Sequence, residues 1–300
     1  MNRWLNAVAA GAGIVAALPV LLGAQWPQFP AGTPTPATAP TPRTADGKPD
    51  LSDVWRNGRG PGGAARGAAT PAAPANGPAP ANAAAARGAV APPAPALVSL
   101  DEVAPASFGN IGSGFKEGLP YQPWAAELVK QRMAVNSKDN PDAHCMPMGF
   151  MQFHNHPQLR KIIQTPKVLV LMYEANYGLR QIFTDGRPLP KDPDPWWYGY
   201  SVGKWEGDTL VVQTIGFNDE SNYGPIWLDV RGSPLTNAGK VTERFTRPNY
   251  GTLEIQITVD DPKAYTRPWT VRVTQRIAET ELNEFICEDR DASHYVGPKQ

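Results

Sequence analysis

Three glutamates share the alternating phase of apolar neighbours, a pattern that brings carboxylates into an apolar interior. They are Glu174, Glu243 and Glu284. Glu243, for example, lies at an alternate position between Val241 and Phe245. Because successive side chains of a strand point to opposite faces, these phases predict three inward-facing carboxylates. A buried carboxylate must be paired, hydrogen-bonded or protonated.

Arginines on neighbouring segments supply the partners that such carboxylates need. Arg180 shares the phase of Ile182, and Arg244 and Arg272 are further candidates. One interpretation is a polar cluster at the floor of a cavity, with a raised-pKa glutamate as general acid or base and an arginine as electrostatic stabiliser. The other is a structural Glu/Arg network that fixes strand register, or a strand with both faces wet. Enzymatic activity is therefore left open.

Histidines offer a second type of chemistry. His154 and His156 lie on one face if their segment is extended, which is a metal-compatible spacing, and His144 is nearby in sequence. Pro157 follows directly, however, and no second ligand motif supports a site; exposed loop histidines are the alternative. We therefore predict no metal site, with these three residues as the candidates if one exists.

Four aromatic residues follow a proline-rich loop: Trp196, Trp197, Tyr198 and Tyr200. Aromatic loops at the mouth of a barrel stack on planar ligands such as sugars or quinones. The alternative is a loop that packs onto the barrel end. We predict a ligand-binding role for these four residues.

Only two cysteines are present, Cys145 and Cys287, so only one intramolecular pairing exists. In an oxidising compartment we expect them to form a disulfide that ties the segment before the sheet to the last strand. A nucleophilic Cys145 beside His144 is the alternative, although adjacent residues rarely aim at one another.

The elements that position these residues are mostly strands. A period of two predicts a strand in each of the segments 167–174, 179–184, 198–205, 209–215, 241–247, 252–259, 269–277 and 282–287. Turn signals between neighbours, such as Gly207, predict hairpins and an antiparallel sheet. We predict a mainly β fold: a lipocalin-like barrel with room for one ligand, or a sandwich, of about eight strands. Helical spacing predicts a short helix over 123–137 before the sheet.

Composition divides the chain into four parts. A positive residue and an apolar run predict a signal peptide over 1–24, although an uncleaved anchor is the alternative. Residues 25–57 carry a turn signal and Trp55, and we expect them to dock on the main domain. The segment 58–97 is an Ala/Pro/Gly-rich linker that we expect to be disordered. The β-rich domain occupies 98–300.

Charge and missing motifs exclude several classes of function. The net charge is 0. The sequence has no stripe of basic residues interleaved with aromatics, which would indicate nucleic-acid binding. There is no P-loop, dinucleotide fingerprint, G-x-S-x-G elbow or C-x-x-C pair, so we predict no cofactor. After signal cleavage no other segment is apolar enough to span a membrane.

Four motifs resemble one family of exported bacterial proteins: DGKPDLS (46–52), WEGDTLVV (205–212), TERF (242–245) and DPKAYT (261–266). The match covers residues 43–57 and roughly 120–296. Two departures are Asp53, where the family usually has glycine, and the unusual length of the Ala/Pro-rich segment. The resemblance implies export and a shared β domain, but no particular activity, cofactor or catalytic residue.

Together these patterns predict a periplasmic or secreted β-barrel-like domain that binds a small aromatic or amphipathic molecule. A cofactor-independent hydrolase, lyase or isomerase that uses the Glu/Arg cluster is one alternative. An envelope interaction module with the Ala/Pro-rich segment as spacer is another. The sequence does not predict the oligomeric state.

Overall fold

The computed structural model describes residues 35–58, 97–99, 110–283, 285 and 287, all within the unit Thr35–Gln300. The predicted signal peptide, residues 59–96 of the Ala/Pro-rich linker and Glu284 lie outside the described residues. The strands are β1 Asp53–Asn57, β2 Leu97–Ser99, β3 Arg160–Gln164, β4 Val168–Tyr173, β5 Leu179–Phe183, β6 Tyr200–Glu206, β7 Thr209–Ile215, β8 Ile226–Trp227, β9 Pro234–Leu235, β10 Lys240–Asn249, β11 Thr252–Asp260 and β12 Trp269–Ile277. The α-helices are α1 Pro123–Ala134 and the single turn α2 Gln152–Asn155, and 3₁₀ turns occupy Ile111–Gly114, Pro141–His144 and Ala175–Tyr177.

Nine strands close into a barrel in the order β1-β3-β4-β5-β6-β7-β10-β11-β12, and β12 then pairs with β1. Neighbours are antiparallel except β5 and β6, which run parallel over only two residue pairs. Strand β2 adds to β12 in parallel, and β8 and β9 form a separate pair. The predicted mainly β barrel of about eight strands is confirmed, and the sandwich is not formed.

The strand that closes the barrel comes from the N-terminal segment. In β1, Trp55 pairs with Ile277 of β12 on one side and with Arg160 of β3 on the other. Buried Arg247 holds the approach to this strand, because it donates to the carbonyls of Asp50 and Ser52 at 2.6 and 3.1 Å. The guanidinium also lies 4.7 Å from the Trp55 ring centroid, a cation–π contact.

Helix α1 is shorter than predicted, because it ends at Ala134 rather than at residue 137. Ala125 and Val129 are buried, whereas Trp124 and Met133 are 44% and 39% exposed. Arg132 is buried as well. Its guanidinium lies 4.2 Å from the ring centroid of Trp227 and donates to carbonyls of the neighbouring loop, so a cation occupies the inner face.

The predicted strand 282–287 is wrong, because its described residues lie outside any strand. Strand β12 already has β11 on one side and β1 and β2 on the other, which leaves no edge for another strand there. Strand β3, by contrast, was not predicted. One of its inward-facing positions is occupied by Arg160, a charged residue where the alternating pattern would require an apolar side chain.

Candidate functional site

An ion pair between β5 and β10 lies inside the barrel. The side chains of Arg180 and Glu243 are 1% and 0% exposed. Nη1 of the arginine donates to Oε1 of the glutamate at 3.0 Å, and Nη2 donates to Oε2. Nε also donates to Ser201 Oγ at 3.2 Å, and Nη2 to Thr214 Oγ1 at 3.0 Å. Both residues point inward, as alternation predicts, and the two charges neutralise one another.

The proton affinity of Glu243 differs from the expectation. Burial raises its pKa, but the charge of Arg180 and the hydrogen bonds from His154 and Arg180 lower it more, and the pKa lies at about 2. The interpretation that gives this glutamate a raised pKa therefore does not fit Glu243. At neutral pH Glu243 is a carboxylate with no proton to donate, and its positive partner makes it a weak base.

His154 completes this cluster from the turn α2. Burial lowers its pKa to about 4, against the raising effect of Glu243, so the ring is neutral near pH 7. A neutral ring fits both contacts: Nε2–H donates to Glu243 Oε1 at 3.1 Å, and Nδ1 accepts from Gln275 Nε2 at 3.4 Å. Both ring nitrogens are therefore engaged by the protein itself.

The predicted pair of histidines on one extended face is not formed. Residues 152–155 form a helical turn, and both His154 and His156 are buried rather than exposed. Buried Arg160 holds this turn in place, since its guanidinium donates to the carbonyls of both histidines at 2.7 and 3.0 Å. His144 lies elsewhere, exposed, with Nε2 3.0 Å from the carbonyl of Lys138. Within the described residues no group of three or more His, Cys, Asp or Glu could hold a metal ion.

Glu174 is not part of the cluster. In β4 the side chains of Leu169, Leu171 and Tyr173 face the core. Glu174 belongs to the alternate set of positions, which faces outward. The residue is half-buried at the end of the strand, where Oε2 accepts from the backbone N–H of Asn283 at 3.2 Å. Both phases of β4 are apolar, and alternation therefore could not decide which one faces the core.

The two other candidate arginines do not pair with Glu243 either. Arg244 faces outward and donates to Glu206 at 3.1 Å, and Arg272 lies half-buried on β12. Only Arg180 has the strand position that reaches the carboxylate.

A second buried carboxylate, Asp142, was not predicted from the sequence. It lies in the 3₁₀ turn after Asn140-Pro141, where Asn176 Nδ2 donates to its Oδ1 at 2.6 Å and His156 Nε2 lies 3.9 Å from Oδ2. Burial raises the pKa of Asp142 to about 6, despite the hydrogen bond from Asn176. Burial and the charge of Arg160 lower the pKa of His156 to about 3. The turn has no periodic pattern, so only the Asn-Pro-Asp sequence could have marked it.

The predicted disulfide between Cys145 and Cys287 is formed, and it links residues 142 positions apart. Cys145 directly follows the turn that carries Asp142. The bond therefore ties that turn to the segment after the barrel, rather than to a last strand. Since Cys145 is oxidised, it is not a free nucleophile.

The aromatic residues Trp196, Trp197, Tyr198 and Tyr200 lie where the barrel wall is incomplete. The parallel pairing of β5 with β6 begins only at Ile182 and Ser201. On that edge, the first half of β5 therefore lies beside the 196–199 loop instead of β6. A cavity of about 200 Å³ lies in this gap, which we call the wall pocket. Its lining consists of Leu179, Arg180, Gln181, Trp196, Trp197, Tyr198 and Gly199. Tyr200 does not line it, and its ring lies 5.2 Å from that of Trp196.

Tyr198 lines the wall pocket and is buried, and its hydroxyl has no hydrogen-bond partner among the described residues. Tyr173 is buried beside it, with 5.9 Å between the two ring centroids. Burial raises the pKa of both phenols, which are neutral at physiological pH. Gly178 is required beside them: a Cβ there would lie 2.6 Å from Cδ2 of Tyr173 and 2.8 Å from the hydroxyl of Tyr198. A buried hydroxyl without a partner is uncommon and marks a place for a water or a ligand group.

Comparison of the chain with protein-family models, with curated proteins and with solved structures found no match. No helix in the described part of the chain is both long and apolar enough to cross a membrane.

Proposed function

We propose that this chain is an exported β-barrel protein that binds a small, neutral aromatic molecule in the wall pocket. The observation that carries this function is the gap in the barrel wall, where the half of β5 that does not pair with β6 meets an aromatic loop around a cavity of about 200 Å³. An engineered cavity of about 150 Å³ in another protein holds benzene, so this volume suits a single substituted ring.

The loop that forms the pocket is held in position before any ligand arrives. The backbone N–H of Trp196 donates to the carbonyl of Gly216 at 3.0 Å, and its carbonyl accepts from Asn218 at 3.0 Å. The indole N–H of Trp197 donates to the carbonyl of Met148 at 3.1 Å. Binding therefore requires little ordering of the loop, which favours affinity. At the entrance Trp196 is 39% exposed and Leu179 56% exposed, so apolar surface is available to a ligand.

The charges around the pocket favour a neutral ligand over an anion. Arg180 lines the pocket, but Glu243 already neutralises its guanidinium, which also donates to the hydroxyls of Ser201 and Thr214. The hydroxyl of Tyr198 offers a polar contact instead. A phenol combines a ring of suitable size with a group that can pair with such a hydroxyl.

Binding of 4-fluorophenol, followed by ligand-observed fluorine NMR, tests this function. We expect saturable binding, weaker binding of 4-fluorobenzoate, and a loss of up to about tenfold in affinity for Trp196→Ala, as removal of an aromatic contact predicts. Trp124→Ala is the matched control, since Trp124 is similarly exposed but lies on α1. Absence of binding, or equal effects of the two substitutions, would remove the wall pocket as a ligand site.

Export is supported by the disulfide, because such bonds persist mainly in oxidising compartments. The apolar N-terminal segment and the resemblance to exported bacterial proteins agree with it. Intact mass spectrometry of protein recovered from the periplasm of a bacterial host tests this part. We expect a chain that lacks residues 1–24 and is lighter by a further ~2 Da for the two hydrogens lost in the disulfide. An intact N-terminus on membrane-bound protein would indicate an anchor.

Acid–base catalysis is a second candidate function, carried by the pKa of about 6 at Asp142. Its side chain is 10% exposed, so a substrate would have to approach along a narrow path. Hydrolysis of phenyl acetate by the intact protein, measured against pH, tests this candidate. An apparent pKa near that of Asp142 and loss of the reaction in Asp142→Asn would support it. A rate unchanged by that substitution would exclude it.

A further inference from the structure

Two arginines face each other directly across the strand pair that closes the barrel. Arg56 of β1 and Arg276 of β12 are register partners in the antiparallel ladder, and both are exposed. Residues directly opposite in such a ladder have Cβ atoms about 5 Å apart, and like charges there repel one another. Two cations in this position therefore weaken the closure of the barrel.

Three other surface arginines of this protein are each neutralised by a carboxylate. Arg43 pairs with Asp208 at 2.7 Å, Arg187 with Asp185 at 2.6 Å and Arg244 with Glu206 at 3.1 Å.

Within the described part of the chain, neither Arg56 nor Arg276 has an ion pair. Arg276 is nevertheless oriented, because its Nη1 donates to Thr252 Oγ1 at 2.5 Å. Their charges are thus available to an external anion.

Both arginines line a groove of about 840 Å³ at this end of the barrel, which we call the arginine groove. Its walls include Pro157, Leu159 and Ala278, which present apolar surface beside the two cations. Glu279 also lines the groove and has no ion pair with a described residue. Two arginines and one glutamate give the lining a net charge of about +1 at neutral pH.

We propose that the arginine groove binds a small carboxylate with an apolar tail. The paired N–H donors of a guanidinium match the planar, bidentate geometry of a carboxylate. Arg56 and Arg276 lie on adjacent strands, so both guanidinium groups can reach one bound carboxylate. A net lining charge of +1 suits a monoanion better than a phosphate group, whose charge at pH 7 is about −1.5 to −2. The apolar walls then cover the tail. This site is separate from the wall pocket, whose arginine is already neutralised.

Calorimetric titration of the full chain with hexanoate, hexanol and inorganic phosphate tests this site. We expect hexanoate to bind more tightly than either of the other two. The double variant Arg56→Gln/Arg276→Gln should bind hexanoate at least about tenfold more weakly, since it loses charge-assisted hydrogen bonds. The same variant should fold at least as stably as the parent protein, because it also loses the like-charge contact.

Two control variants test whether hexanoate binds at the arginine groove itself. Arg244→Gln removes one surface charge at a neutralised position and should leave hexanoate binding unchanged, as should Trp196→Ala in the wall pocket. The assignment is overturned if hexanol binds as tightly as hexanoate, if phosphate binds more tightly, or if the double variant retains full affinity. An equal loss in Arg244→Gln, which reflects only overall charge, would overturn it as well.

Discussion

The interior ion pair and the strand pair that closes the barrel use arginine in opposite ways. Inside, the guanidinium of Arg180 is neutralised by Glu243 and donates to two hydroxyls. Outside, Arg56 and Arg276 face each other without a carboxylate partner among the described residues. Desolvation explains the difference, because a buried charge without a partner is far more costly than an exposed one. Burial of Arg180 therefore does not by itself mark a functional charge, because its charge is already neutralised.

This contrast also bears on the carboxylates. Glu243 lies against Arg180 and has a pKa of about 2, whereas Asp142 has an amide as its hydrogen-bond partner and a pKa of about 6. Both are buried, so the sign of the shift depends on whether a cation is in contact.

The largest expected effect is that of breaking the interior ion pair. Glu243→Gln leaves the charge of Arg180 buried without compensation, and we expect a loss of about 3–5 kcal/mol in the free energy of unfolding, measured by urea denaturation. Glu206→Gln breaks the exposed pair with Arg244 and should cost less than about 1 kcal/mol. Replacing both interior partners, as in Arg180→Met/Glu243→Leu, should be less damaging than Glu243→Gln alone. Equal losses for the two glutamine variants would show that the interior pair is not desolvated in solution.

The next effect concerns Asp142 and its dependence on pH. The folded pKa of about 6 lies above the ordinary value of 3.8, so the folded state binds the proton more tightly than the unfolded chain does. The contribution of Asp142 to stability is therefore fully present below pH 3.8 and is lost as the pH rises through 6. Asp142→Asn remains neutral throughout, and we expect it to gain on the order of 2 kcal/mol relative to the parent protein between pH 4 and pH 7. Urea denaturation at both pH values measures this gain; a difference that does not change with pH would contradict the burial of an unpaired carboxyl.

Much of the barrel could be predicted because its strands alternate strictly. In β10 the buried positions include Val241, Glu243 and Phe245, so periodicity alone placed the glutamate inside. The same logic failed in β4, where apolar residues occupy both phases, and it missed β3, where Arg160 takes an inward position.

The geometry of the candidate sites was harder to predict than the strands, because it depends on contacts between distant segments. The aromatic loop was recognised from composition, but its place at the β5–β6 gap follows from a parallel pairing that no local pattern specifies. Asp142 lies in an irregular turn, and its burial results from packing against residues more than ten positions away, such as Asn176. The Arg56–Arg276 contact joins strands from the two ends of the described chain, and only the register reveals it.

The smallest expected effect distinguishes the two kinds of surface arginine by sign. Arg56→Gln removes a like-charge contact and should raise the free energy of unfolding by a few tenths of a kcal/mol. Arg244→Gln removes a favourable pair with Glu206 and should lower it by a similar amount. Both differences arise at exposed positions, so they should shrink when denaturation is repeated at about 1 M salt, where charges are screened within about 3 Å. A loss of stability in Arg56→Gln would mean that its charge already has a partner within the folded chain, and the arginine groove would then have no free cation pair to offer a carboxylate.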